Sequence, residues 1–222
     1  MLLDLRSVPE NARDGAPLIV LLHGRGSEMG DLMRMRPSLP PEAIVVTPQA
    51  PFPAAEWGYG PGWAWYRFLG GTMPEPETFE AGQAALAEYL AALPASLPVR
   101  PGPIVLGGFS QGGTSSLAYA LRNPGQLAGV LIFSGFLADH PSVRATPETV
   151  ADTRFFWGHG RADPMIPFEY AEAGRQALRD AGAELETYDT PGGHAIDPAE
   201  LRAARRWLDE LFASAASRAE DV

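Results

Sequence analysis

Ser110 is the residue best placed to do chemistry. It lies in GGFSQGG, residues 107–113, after the apolar run Pro103–Leu106 and before a helix-like stretch through Leu117–Leu121. Residues 108–112 fit G-x-S-x-G, and the strand-then-helix context separates a nucleophile elbow from a chance match. So sharp a reversal strains the serine backbone and leaves room only for small neighbours. The N–H groups and dipole of the following helix then face any anion formed beside Ser110. The blander reading of the same glycines is a turn that merely caps a helix, and the partners decide between the two. A serine hydroxyl needs a base and an orienting acid, and after such an elbow the acid comes before the histidine in the chain. Asp163 closes GHGRAD (158–163) after one strand-like run, and His194 closes TPGGH (190–194) after the next. Both are expected in loops at the carboxyl ends of strands, where Ser110 also falls.

Attack on an acyl carbonyl also needs two preorganised N–H donors for the oxyanion, each worth about 3 kcal/mol of barrier where tested. One is expected to be the backbone amide of Gln111, the residue after the serine. The other is expected from HGRGSEMGD (23–31), after the run Leu18–Leu22, with the Arg25 amide as the best candidate. Other groups could compete for the same roles. His23 and His159 are read as bracing their loops, His140 as a surface residue, Asp139 as an alternative acid and Asp189 as structural. No H-E-x-x-H or similar spacing marks a metal site.

These loops need a scaffold. Short β-branched runs at Leu18–Leu22, Ala43–Thr47, Pro103–Leu106, Ala128–Phe133, Arg154–Trp157 and Leu185–Asp189 read as strands. Their lack of alternation indicates strands covered on both faces, as in a mostly parallel sheet. Helical patterns fall at Thr78–Leu93, Ser115–Arg122, Phe168–Asp180 and about Pro198–Ala213, the last with Asp197 as N-cap. The alternation predicts one α/β domain over residues 1–222, with a core of about 16–211 and a frayed tail at 213–222. Residues 51–76 stand apart as a long glycine- and proline-rich loop full of aromatics. Such a loop is functional more often than idle. Trp57, Trp63, Trp65, Tyr66 and Arg67 are its expected substrate contacts, with Met29, Met33 or Met35 beside an apolar groove. A packed flap or a dimer contact is the alternative.

Composition removes other chemistries. The chain has no cysteine, and all 17 basic residues are arginine, so thiolate, Schiff-base, P-loop-lysine and Ser-Lys schemes are excluded. A formal charge of −10 argues against nucleic acid and against anionic membrane surfaces. No apolar run is long enough to span a bilayer, and the opening MLLDLRSVPENARDG lacks the form of a secretory leader. The expectation is a soluble, cytoplasmic protein without stable membrane insertion.

HGRGSEMGD, GGFSQGG, GHGRADPMIP and PGGHAID, in that order, resemble the carboxylesterase, phospholipase and acyl-protein thioesterase family of serine α/β-hydrolases. The resemblance runs from about Ala16 to Leu211. It implies an α/β-hydrolase fold with helices on both faces of the sheet and a Ser110–His194–Asp163 triad. The Arg25 and Gln111 amides would form the oxyanion hole. It further implies no cofactor, no metal, a small-molecule ester substrate of short to medium acyl chain and, as in some members, a homodimer. Two departures matter. Few residues precede the first core strand, which implies a trimmed antiparallel edge. Trp65-Tyr66-Arg67 replaces the Trp-Phe-Asp of eukaryotic thioesterases, which favours a small-molecule esterase over protein depalmitoylation. Thioesterase or lysophospholipase activity, and a non-catalytic binding module on the same fold, are the alternatives. A dienelactone-hydrolase-like lactonase would want cysteine, and a peptidase would want a lid domain.

Overall fold

The computed structural model describes residues 2–220, with side chains to Ser217. In chain order the strands are β1 (Asp4–Ser7), β2 (Ala16–Leu22), β3 (Ile44–Pro48), β4 (Phe52–Pro53), β5 (Trp63–Ala64), β6 (Phe68–Gly70), β7 (Met73–Pro74), β8 (Pro101–Phe109), β9 (Gly129–Phe133), β10 (Arg154–Gly160) and β11 (Glu184–Thr190). The helices are α1 (Gly30–Met33), α2 (Pro76–Ala92), α3 (Gln111–Arg122), α4 (Pro147–Val150), α5 (Phe168–Asp180) and α6 (Pro198–Glu220).

Seven strands make one sheet in the order β1-β3-β2-β8-β9-β10-β11. All neighbours are parallel except the β1–β3 pair. The antiparallel edge is thus a single short strand, β1, which the sequence pattern did not reveal. Leu18, Val20 and Leu22 of β2 join one apolar core, and Ile19 and Leu21 join the other. β9 and β10 split in the same way, with Val130, Ile132, Phe155 and Trp157 on one face and Leu131, Phe133 and Phe156 on the other. Each strand feeds two cores, which is why its apolar run shows no alternation. Helices α2, α3 and α5 cover the first face, and α1 and α6 cover the second. Among the described residues, no helix is long and apolar enough to cross a membrane.

The chain turns one way from β2 to β3 and the other way from β8 to β9, while β2 and β8 lie side by side. The crevice beyond the carboxyl ends of two such strands is where open α/β sheets bind ligands. Residues 23–25 leave β2 there and Ser110 leaves β8 there.

Two expectations need correction. The 51–76 segment is not devoid of regular structure, because β4–β5 and β6–β7 form two short antiparallel hairpins within it. The last helix does not end near Ala213 but continues to Glu220, so the described part of the expected tail is helical, and residues 221–222 lie outside the described residues. Its start is capped as the sequence suggested. The Asp197 carboxylate accepts the Ala199 N–H at 2.7 Å, and Glu200 accepts the Asp197 N–H at 3.1 Å, a reciprocal cap.

Glu200 is fully buried against Gly158 of β10, and one of its carboxylate oxygens has no partner among the described residues. Burial, with Asp197 nearby, pushes its carboxyl up to about 7. A folded-state value above the unfolded one stabilises at low pH and is lost as pH rises from the ordinary carboxyl range through about 7. Glu200→Gln keeps the acceptor for the Asp197 N–H and removes the titration. The variant is therefore expected to gain on the order of 2 kcal/mol over wild type at pH 8 relative to pH 4.5, checked by urea unfolding at both pH values. Parallel stability–pH curves for the two proteins would refute this.

Candidate active site

Ser110 occupies the single-residue turn between β8 and α3, with φ 57° and ψ −119°. A non-glycine residue held there costs about 1–3 kcal/mol and persists only where its surroundings over-determine it. Here the Ser110 N–H binds the Phe133 carbonyl at 2.8 Å, and its own carbonyl takes the Thr114 N–H at 3.0 Å. The crossing is tight. A side chain at Gly112 would collide with the Leu22 carbonyl of β2, and one at Gly108 would lie 2.5 Å from both that carbonyl and the Gly112 backbone. The elbow glycines are therefore a packing requirement between β2 and α3.

The loops after β10 and β11 bring the other two groups to the serine. His194 Nε2 lies 2.9 Å from Ser110 Oγ, and His194 Nδ1 lies 2.7 Å from Asp163 Oδ2. Because the carboxylate can only accept, Nδ1 carries the proton and Nε2 offers its lone pair to the serine hydroxyl. Asp163 is buried, and its other oxygen accepts the N–H groups of Met165 at 2.8 Å and Ile166 at 2.9 Å. Those bonds orient the carboxylate independently of the histidine. The Phe109 ring, 4.7 Å from the His194 ring centre, supports the imidazole from one side.

The competing groups have other tasks. His23 is buried, donates through Nδ1 to the Gly24 carbonyl at 2.8 Å and accepts the Ala50 N–H through Nε2 at 3.1 Å. His159 is buried and binds the Ile166 carbonyl through Nε2 at 2.9 Å. Burial pushes both imidazoles down, so both stay neutral braces. His140 is not a surface residue. It is 8% exposed and packs on Phe79 with ring centres 4.9 Å apart. Asp139 is exposed and tied by its amide to Thr72, while Asp189 pairs with Arg161 and Arg175.

A cavity of about 200 Å³ opens beside the row. Arg25, Gln111, Ser110 and His194 line it, with Tyr66, Phe68, Phe109 and Phe136 as the aromatic wall. Among the described residues, neither the Arg25 nor the Gln111 amide N–H has a backbone acceptor. Of the five expected substrate contacts, only Tyr66 lines the cavity. Trp65 is buried, with its indole N–H on the His23 carbonyl at 3.0 Å. Trp63 pairs through its backbone with Ser27 and Pro53, and Trp57 packs at a tilt against Phe52 with ring centres 5.3 Å apart. Arg67 turns to Glu75, at 3.0 Å. Met29, Met33 and Met35 are likewise outside the wall, and Met165 and Ile166 take their place. Phe136 lies outside every motif and Met165, though inside GHGRADPMIP, is not marked there as a contact; the approach of both depends on the paths of the loops after β9 and β10.

The family model for phospholipase/carboxylesterases matches residues 3–212. The chain belongs to the phospholipase/carboxylesterase family. Acyl-protein thioesterase 1 of Emericella nidulans is 27% identical over 214 residues, covering 87% of this chain and 90% of that protein. A probable carboxylesterase of rice (Oryza sativa subsp. japonica) is 40% identical over 113 residues, 50% of this chain and 42% of that protein. The match thus spans under half the length of that curated relative. The crystal structure of esterase PE8 superposes with a TM-score of 0.74 at 28% identity, covering 95% of this chain and 98% of that one. The fold is that of an α/β-hydrolase, and the family's chemistry is ester hydrolysis.

Within this carboxylesterase-family site, Gln111 makes contacts that its expected backbone role did not suggest. Its buried side-chain amide accepts the Trp65 N–H and donates to the Tyr66 carbonyl, both at 2.8 Å. That clamp ties the aromatic segment to the serine turn. Gln111→Ala leaves two buried backbone groups unpaired and is expected to destabilise by on the order of 3 kcal/mol, read from the urea midpoint. An unchanged midpoint would show that water replaces the clamp at no cost.

Proposed function

We propose that the protein is a serine carboxylesterase acting on small carboxylic esters, with Ser110 as nucleophile, His194 as base and Asp163 as its orienting acid. The observation that carries this reading is the unbroken row of hydrogen bonds from Asp163 through His194 to Ser110 at the mouth of a cavity. The Ser110 oxygen attacks the acyl carbonyl while His194 Nε2 takes its proton and Asp163 balances the imidazolium. The Arg25 and Gln111 amides donate to the oxyanion. His194 then protonates the leaving alcohol, the acyl-enzyme forms, and a water activated by the same imidazole releases the acid. The site needs no cofactor for these steps.

Cavity size favours short acyl groups, because about 200 Å³ lies below the roughly 300–1,000 Å³ of sites for drug-sized ligands. Thioester cleavage uses the same attack. The near full-length match to a protein described as an acyl-protein thioesterase supports it as a second reading. The test is hydrolysis of p-nitrophenyl esters from acetyl to dodecanoyl, alongside an acetyl thioester and labelling by a fluorophosphonate. Wild type is expected to prefer the short esters and to be labelled, and Ser110→Ala to lose both. Asp163→Asn should lower kcat by about 10⁴-fold, as loss of the correct imidazole tautomer does elsewhere. Turnover that survives Ser110→Ala would sink the assignment. A folded wild type that neither turns over nor labels would instead make this chain a binding module.

A further inference from the structure

Arg25, one of the residues lining the cavity, carries a guanidinium that the mechanism leaves unused. Arg25 contributes its amide to the proposed oxyanion hole, yet its side chain lies over two rings, 4.5 Å from the Tyr59 ring centre and 5.4 Å from that of Phe68. Phe68 and Tyr66 line the cavity. The half-buried arginine has no carboxylate within 4.0 Å among the described residues. Asp31, the one acid in the same wall, instead accepts the Ser27 hydroxyl at 2.8 Å. Arg67, the other arginine near the aromatic loop, is already neutralised by Glu75.

The cradle is rigid. The Tyr59 hydroxyl donates to the Phe68 carbonyl at 3.1 Å and accepts the Phe68 N–H at 3.0 Å, which ties the Tyr59 ring to the Phe68 backbone. Gly26, at φ 77°, lets the loop press so close to Tyr59 that a side chain there would collide with the Tyr59 carbonyl. A guanidinium stacked on a ring keeps its N–H edge free for a planar acceptor, and a carboxylate meets that edge with two parallel hydrogen bonds. In a chain of net charge −10, which repels anions at long range, a ring-stacked cation on a residue that shares the cavity lining with Ser110 is a local exception.

We propose that the substrates are short esters that carry a carboxylate, and that Arg25 is the residue that reads it. The inference rests on the ester-hydrolase reading and names the substrate class of that same site. The carboxylate could sit on the acyl side, as in a hemi-ester of a dicarboxylic acid, or on the alcohol side, as in an acylated hydroxy acid. Two charged-and-neutral pairs of matched shape separate them: monomethyl succinate against methyl isocaproate, and acetoxyacetate against isobutyl acetate.

Binding is measured by calorimetry on Ser110→Ala protein, so it does not depend on turnover, and kcat/KM ratios are measured on the active enzyme. The charged member of at least one pair is expected to win by about ten-fold or more, the scale of one hydrogen bond to a charged group. Arg25→Leu should bring that ratio to near one, and Arg25→Lys should retain part of it, because lysine keeps the charge but loses the fork. Taking the ratio cancels any loss common to both esters, and folding of each variant is read from its thermal melt. A ratio near one in both pairs for wild type, or a preference that survives Arg25→Leu, overturns the proposal. Failure of fluorophosphonate labelling with an intact binding preference would sink the hydrolase reading and with it the substrate class, leaving only Arg25 as the reader of a carboxylate ligand.

Discussion

The site depends on one steric constraint, the close passage of the start of α3 over the end of β2. Gly112 lies against the Leu22 carbonyl, and Gly108 is pressed between that carbonyl and the helix. No residue with a Cβ fits either place without moving backbone. This contact forces the reversal at Ser110 and holds its φ positive, while the Phe133 carbonyl of β9 secures its amide. Because β2 and β8 are neighbours at the point where the strand order reverses, the same contact sets the serine beside the loop that carries Arg25. The strain at one residue is thus sustained by three strands and a helix.

Around that point the buried polar groups are braced in pairs that leave little freedom. His23 locks the loop after β2 to Ala50, Trp65 caps the His23 carbonyl, and Gln111 clamps the Trp65–Tyr66 backbone to the serine turn. On the other side His159 and Asp163 share the 163–166 turn, one through the Ile166 carbonyl and the other through two N–H groups. Arg175 ties α5 to the Trp157 carbonyl and to Asp189 of β11, holding the strands from which the acid and histidine loops depart. Groups that resemble catalytic candidates by type, two histidines among them, serve as struts because burial keeps their imidazoles neutral and both are committed to backbone partners.

The aromatic segment illustrates how residue type and residue role can separate. Of its tryptophans only Trp65 is buried, and burying a large apolar side chain rather than leaving it exposed stabilises by about 1.5–3 kcal/mol. Trp65 accordingly disappears beneath the His23 loop, while smaller rings, Tyr66 and Phe68, reach the cavity. The hairpins β4–β5 and β6–β7 make that division possible by fixing the backbone on either side of the buried stretch.

Sequence alone was enough for the α/β class, the six long strands, the helices α2, α3, α5 and the start of α6. It also singled out Ser110, Asp163 and His194, which the fold brings within hydrogen-bond distance of one another. Those features are local: apolar runs, glycine spacing and caps act between residues near in the chain. β1 escaped notice because an exposed four-residue edge strand carries no apolar run, and its identity comes from pairing with β3. Only the tertiary structure decided which aromatics face the cavity, that Arg67 has a carboxylate partner while Arg25 has none among the described residues, and that Phe136 and Met165 complete the wall. Side-chain direction in loops is set by contacts between segments far apart in sequence, and no local pattern encodes them.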